Sequence, residues 1–234
     1  MDKLYKSFIN KIKTKKIFLL KIFAMLIFQL VLCFLSLKSF ENHRIIYNKT
    51  YLIGAVIFLF GIIIFINFIK NVFLKFIIFC VLSIGIGFIL SYQYFRRVDK
   101  KKIGEEEKDY EDRVKKYAEI ENKALLTTIG IFVFMVLFGV AISYANIYIP
   151  YQFGTGLFFA LLLMIIIIFI TSLSGIYSMV HKIISAAVIL IFVLYIIYDT
   201  YNILEREYYD DYVSASLDYF LDFINIFSNT LNLS

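Results

Sequence analysis

Seven predominantly apolar runs, most of them near twenty residues long, follow one another along this chain. A helix of that length rises far enough to cross the hydrocarbon core of a bilayer, about 30 Å. In hydrocarbon every backbone N–H and C=O must be satisfied within the segment or by a closed sheet. Barrel strands are shorter and alternate in polarity, so the runs predict an all-α fold, a polytopic membrane bundle of seven segments. The totals agree. Hydrophobic residues make up 61% and charged residues 18%, where soluble domains hold about half and a quarter.

The charge between the runs organises the chain. Residues 1–16 form a basic tail carrying Lys3, Lys6, Lys11, Lys13, Lys15 and Lys16. Such a tail before an apolar run resembles a secretory leader. This run is too long and no small-x-small cleavage site follows it, so it reads as a retained first span, 17–37. Lys21 lies one turn inside and can snorkel to the surface. The remaining spans are read at 51–69, 76–95, 124–145, 157–176, 183–204 and 213–233, which with the first span make up a transmembrane domain over 17–234. Gly85 and Gly87 allow close helix approach in the third. Pro150 with Gly154 and Gly156 reads as a turn. Asp210 or Asp211, in the acidic link 205–211, can cap the last helix. His181, alone in a link, reads as a surface residue. The insert 96–123 holds most of the charge, with both signs mixed. Glu111 and Lys115, Asp112 and Lys116, and Glu119 and Lys123 stand four apart with the acid first, the favourable order on a helix. Ile103, Tyr110, Val114 and Tyr117 fall near one face. This predicts a solvated helical extension of span four, with a partner-docking surface as the alternative. The net charge of +6 belongs to a membrane-flanking tail, which argues against nucleic-acid binding. The basic end places the amino terminus in the cytosol. Cys33 and Cys80 sit in apolar runs and predict no disulfide.

Three carboxylates break the apolar pattern: Asp199 in YIIYDTYNIL, and Asp218 and Asp222 in VSASLDYFLDFINIF. A carboxylate at the centre of a membrane helix costs about 2.5–3.5 kcal/mol on insertion scales, so it faces a bundle interior or a wet cavity. From the span ends, Asp199 and Asp218 lie about 7.5 Å deep on one side and Asp222 about 13.5 Å. Asp218, Asp222 and Asn225 share a helical face, expected to meet span six. Two carboxylates held close cannot both ionise cheaply, so such a pair shares a proton. Carboxylate oxygens are also the ligands calcium prefers. One site could therefore sense protons and pass calcium. The plainer reading makes these groups buried hydrogen-bonding partners or interfacial residues. No zinc-protease, phosphate-loop, Ser–His–Asp or dinucleotide motif is present, so an enzyme is not expected.

These same residues carry a resemblance. YIIYDTYNIL followed by DDYVSASLDYFLDFINIF is similar to the signature of the Bax-inhibitor (TMBIM) family, nearest its Golgi anti-apoptotic and Lifeguard-like branches. FLLKIFAMLIFQLVLCF, with Lys21, Gln29 and Leu30, resembles the family's first span. The resemblance implies a six-plus-one or seven-helix bundle in the endoplasmic reticulum or Golgi. It implies a pH-sensitive leak that lowers store calcium and opposes cell death. No cofactor is implied, and calcium is the transported ion. Asp199 and Asp222 correspond to the family's pH-sensing pair and would be transient calcium ligands. Lys70 is the counterpart of a basic latch, as a point charge rather than a fork. Asp218 stands where the family usually has Asn, and the insert 96–123 has no family counterpart. Implied partners are the lipid bilayer, cell-death regulators or a second copy of the chain. Two other functions fit the residues: a non-conducting membrane interaction protein that suppresses cell death, and a proton-coupled transporter. The latter lacks the interrupted helices and repeated halves common in such folds.

Overall fold

The apolar runs fold as helices, because only intrahelical bonding satisfies a backbone surrounded by apolar side chains. A computed structural model describes residues 2–40, 49–98, 106–173, 179–206 and 211–233. They form α1 (Asp2–Phe40), α2 (Lys49–Ile66), α3 (Val72–Val98), α4 (Glu107–Tyr144), α5 (Tyr151–Leu173), α6 (Met179–Glu205) and α7 (Tyr212–Leu233). No strand occurs among the described residues. Segments of α1, α3, α4, α5 and α6 are long and apolar enough to cross a membrane, and Thr50–Ile66 is a shorter apolar helix. The chain is an all-α, polytopic integral membrane protein.

The helices differ in how much of themselves they expose. Phe58, Phe60, Phe159 and Leu163 of α2 and α5 are exposed, as lipid-facing side chains are. In α7, by contrast, only Asn232 is exposed. This last helix carries the most polar residues per turn, and it is sequestered.

Several boundaries depart from the sequence reading. The 1–16 segment is not a separate tail: from Asp2 it forms the first turns of α1. Pro150 stands just before α5, where its carbonyl accepts from Phe153 N–H at 3.0 Å. Gly154 and Gly156 are inside α5 rather than in a turn. The reason at Gly154 is space, since a Cβ there would lie 2.5 Å from the Tyr198 ring. The stop of α4 is set by Asn146, at φ 52°. Its N–H bonds Ser143 O at 3.1 Å, and Ile147 N–H reaches back to Ile142 O at 3.1 Å. This is the left-handed cap that Asn tolerates better than most residues. Of the insert 96–123, residues 96–98 belong to α3 and 99–105 lie outside the described residues, while the part from Glu107 onward is continuous with span four in α4. Its apolar face is not wholly solvated: Tyr117 is buried, with Val114 packed against it.

The chain divides into two compact units. One comprises residues 21–119 and 211–217. In it Ser36 Oγ donates to Ile84 O at 2.7 Å. Gln29 is fully buried and accepts from Ser83 Oγ at 2.6 Å. A Cβ on Gly87 would strike the Cys33 carbonyl and Ser36, so α1 and α3 touch backbone to backbone there. Lys75 is buried and its ammonium binds Asp211 and Ser214. Asp211 also caps α7, accepting from Ser214 N–H at 3.0 Å. Exposed Lys21 sits over the Tyr212 ring, 5.3 Å from its centroid.

The other unit comprises residues 1–20, 120–210 and 218–234. Lys11 and Lys15, one turn apart on α1, face the end of α6. Lys11 pairs with Glu205 at 2.5 Å. Lys15 donates to the carbonyls of Ile203 and Arg206 at 2.8 and 2.6 Å. The last carbonyls of a helix lack intrahelical donors and carry its negative end, so a lysine caps α6 from a distant part of the chain. Gly139 of α4 lets α6 approach: a Cβ there would lie 2.6 Å from Thr200 Cβ.

Candidate functional site

Helical spacing sets up the site. Tyr195, Asp199, Asn202 and Arg206 recur at intervals of three or four, with Tyr198 beside Asp199, so they lie along one face of α6 and the turn that follows it. Asp218, Leu221 and Asp222 share a face of α7 in the same way. Together with Tyr151, Gly154, Thr155, Phe158 and Leu161 of α5, and with Phe192, they line a cavity of about 580 Å³.

Asp199 and Asp222 are both buried, at 9% and 4% exposure. Their side chains are hydrogen-bonded to each other, and Asp218 is near enough to act electrostatically on both. The two final helices thus bring all three aspartates to one cavity. The closer partner of Asp199 is Asp222, one turn deeper than simple depth counting favoured.

Packing holds this register. Thr200, next to Asp199, bonds Tyr219 OH at 2.7 Å. Tyr219 is fully buried and meets Phe132 of α4 edge to face, with centroids 5.3 Å apart. Phe132 also meets Phe223, at 5.8 Å. A two-χ aromatic clamped on both sides fixes the height of α7 against α6. Thr200 and Tyr219 therefore position the neighbouring aspartates.

At the rim, Arg206 donates to Tyr198 OH at 3.3 Å. Its guanidinium lies 5.7 and 5.6 Å from the ring centroids of Tyr151 and Tyr198. Phe153 packs beside Tyr198, with centroids 6.0 Å apart. Among the described residues no group of three or more His, Cys, Asp or Glu side chains converges as a metal site would. The aspartates line one space without closing around a point.

The other sequence candidates lie elsewhere. Asn225, expected to support the pair, gives its amide to Leu221 O of its own helix at 2.7 Å and is not part of the cavity lining. Lys70, the candidate latch, is exposed in the link between α2 and α3. The buried basic group of that stretch is Lys75. Sequence reading missed Tyr195, Tyr198, Asn202 and Arg206. Tyr195, Asn202 and Arg206 stand four, three and seven residues from Asp199 and so share its helical face, the signal that could have found them; Tyr198 adjoins it.

Fold and site together define a polytopic membrane protein that gathers ionisable groups in one cavity. Comparison with known proteins narrows this. The family model described as inhibitor of apoptosis-promoting Bax1 matches residues 117–233, and the chain belongs to that family, the Bax inhibitors. It is 35% identical over 80 residues to Protein LIFEGUARD 2 of Arabidopsis thaliana, covering 34% of each chain. It is 36% identical over 85 residues to the Golgi anti-apoptotic protein of Vaccinia virus strain Lister, covering 35% of this chain and 34% of that one. The aligned stretch is thus about a third of the length of these relatives.

Proposed function

We propose that this protein is a pH-sensitive calcium leak of an internal membrane, endoplasmic reticulum or Golgi, that lowers store calcium and thereby opposes cell death. The observation that carries the reading is the contact between the Asp199 and Asp222 side chains inside a cavity that Asp218 also lines. Carboxylates this close share a proton, and adding a second charge is unfavourable without a cation. Calcium can supply that charge, because it takes carboxylate oxygens as ligands. Protons and calcium then compete for the same atoms, and acidification alters passage. The groups facing the pair are Asp218 and Tyr219 on α7, Tyr195 and Tyr198 on α6, Tyr151 on α5, and Arg206 at the rim. Arg206 is the single fixed cation among them. Membership of the Bax inhibitor family and the printed name of the viral relative support the link to cell death. The basic start of α1 supports a cytosolic amino terminus.

The test is calcium entry into liposomes reconstituted with the full chain, measured with an internal indicator at two pH values. Entry above that of protein-free vesicles, and dependent on pH, is expected. Equal entry with and without protein ends the leak reading and leaves a non-conducting membrane protein.

A further inference from the structure

We propose that the α5–α6–α7 cavity is a binding site for a linear aliphatic polyamine, seated with an ammonium group against Asp222 and Asn202 and with its methylene stem between aromatic walls. The inference concerns binding and holds whether or not calcium passes through the protein.

Two buried oxygens ask for a donor. Asp222 Oδ2 and Asn202 Oδ1 have no hydrogen-bond partner among the described residues. Both side chains line the cavity and are more than nine-tenths buried, at 4% and 7% exposure. A buried acceptor left unpaired costs free energy, and native structures seldom keep two in one cavity without a ligand or water to fill them. The amide oxygen of Asn202 only accepts, and so does Asp222 Oδ2 when a shared proton lies on the Asp199 side of the pair, so the group that joins them must carry N–H or O–H. The adjoining carboxylates of Asp199 and Asp218 favour a donor that is also positive.

Size and wall chemistry select among cations. The cavity, at about 580 Å³, falls within the range of small-molecule sites, about 300–1,000 Å³. A dedicated calcium cage instead gathers about six to eight oxygens within 2.6 Å of one point, and among the described residues no three His, Cys, Asp or Glu side chains converge in that way. Much of the lining is Phe158, Leu161, Phe192, Tyr195 and Leu221. The carbon surfaces of those side chains offer nothing to a hydrated metal ion. They suit methylene groups, and aromatic faces attract an ammonium directly. The rim already binds one cation in this manner, since Arg206 lies over Tyr151 and Tyr198. Three carboxyl groups and one guanidinium, that of Arg206, stand among the lining residues, so the wall chemistry favours a cation. A chain with amines at intervals can place one ammonium at the deep oxygens and another near Asp218.

The experiment is isothermal titration of spermidine into the full chain in phosphatidylcholine nanodiscs, whose lipid has no primary amine, with empty nanodiscs as the blank. One spermidine per chain should bind saturably. Asp222→Asn and Tyr195→Leu should each weaken binding at least tenfold. Lys13→Gln, on the exposed face of α1, should leave it unchanged, and neutral 1,8-octanediol should not bind. If Asp222→Asn does not yield folded protein, Asn202→Leu takes its place. No saturable binding overturns the proposal. Equal affinity in wild type and both cavity variants also overturns it, because the amine would then be held at the charged surface. Loss in Asp222→Asn with none in Tyr195→Leu overturns it too, because the site would then be a simple ion site.

Discussion

Removing the carboxylate of Asp211 should cost more than removing the ammonium of Lys75, although the two form one ion pair. The asymmetry comes from burial. The Lys75 side chain is 8% exposed and that of Asp211 is 24%. In Asp211→Ala the ammonium stays buried with Ser214 Oγ at 2.9 Å as its described partner. The variant also loses the cap that Asp211 provides to Ser214 N–H. An uncompensated buried charge costs about 3–5 kcal/mol and a lost N-cap about 1 kcal/mol. The flexible lysine stem recovers part of this by reaching for water, so a loss of about 3–4 kcal/mol is expected. In Lys75→Met the carboxylate keeps both Ser214 bonds, at 3.0 and 2.8 Å, and its exposed quarter is hydrated. The loss should be about 1–2 kcal/mol. The double variant should fall short of the sum by about 1–3 kcal/mol. Thermal unfolding in detergent reads this directly: in a Cys80→Ser background, the fully buried Cys33 thiol reacts with a thiol dye only as the fold opens. The pH dependence has a definite sign. Burial alone would raise the Asp211 carboxyl, but the bonds from Lys75 and Ser214 outweigh it and hold the group below its ordinary value. A carboxylate held low stabilises the fold above its unfolded pKa, about 3.9. That contribution disappears as pH falls through the lowered folded value. The gap between wild type and Asp211→Ala should therefore be flat from neutral pH down to about pH 5 and should close in stronger acid. A larger loss in Lys75→Met than in Asp211→Ala, or a gap that widens on acidification, would refute this account of the pair.

Other perturbations follow from the same geometry. Gly87→Ala should lower the unfolding midpoint, at a cost of about 1–3 kcal/mol, because its methyl group would meet the Cys33 carbonyl and a backbone cannot rotate away. Gly139→Ala should do likewise against Thr200. Gly130→Ala, with open space around it, should be neutral or stabilising by up to about 1 kcal/mol; similar midpoints for all three would remove the close-approach explanation. In the liposome assay Asp222→Asn should shift the pH dependence of calcium entry more than Asp218→Asn does, because Asp222 bonds Asp199 whereas Asp218 acts on the pair through space. The reverse order would assign the pairing to Asp218.

Helix number and rough placement were legible because each apolar run of near-membrane length admits little besides a helix. The insert's helix was legible from its i, i+4 acid–base pairs. The aspartates were legible because a carboxylate in an apolar run needs an explanation. What escaped was set by contacts distant in sequence. Gly154 reads as a turn residue until Tyr198 is known to fill the space beside it. The basic 1–16 segment reads as a tail because nothing in it reveals that Lys15 reaches the carbonyls of Ile203 and Arg206. Depth counting placed Asp218 level with Asp199 because it assumed straight, parallel helices with known ends. The Thr200–Tyr219–Phe132 contacts fix the actual height and bring in Asp222. Asn225 lies on the predicted face, yet its amide is taken by the carbonyl of Leu221 one turn back.

Calcium entry into proteoliposomes, recorded across a pH series for wild type and for Asp199→Asn, bears most directly on the claim that paired acidic side chains of α6 and α7 control ion passage. The amide keeps the size of the side chain and removes its charge. The account predicts entry that varies with pH in wild type and a profile flattened or displaced in Asp199→Asn, with the two proteins reconstituted to equal density. Superimposable pH profiles would contradict it.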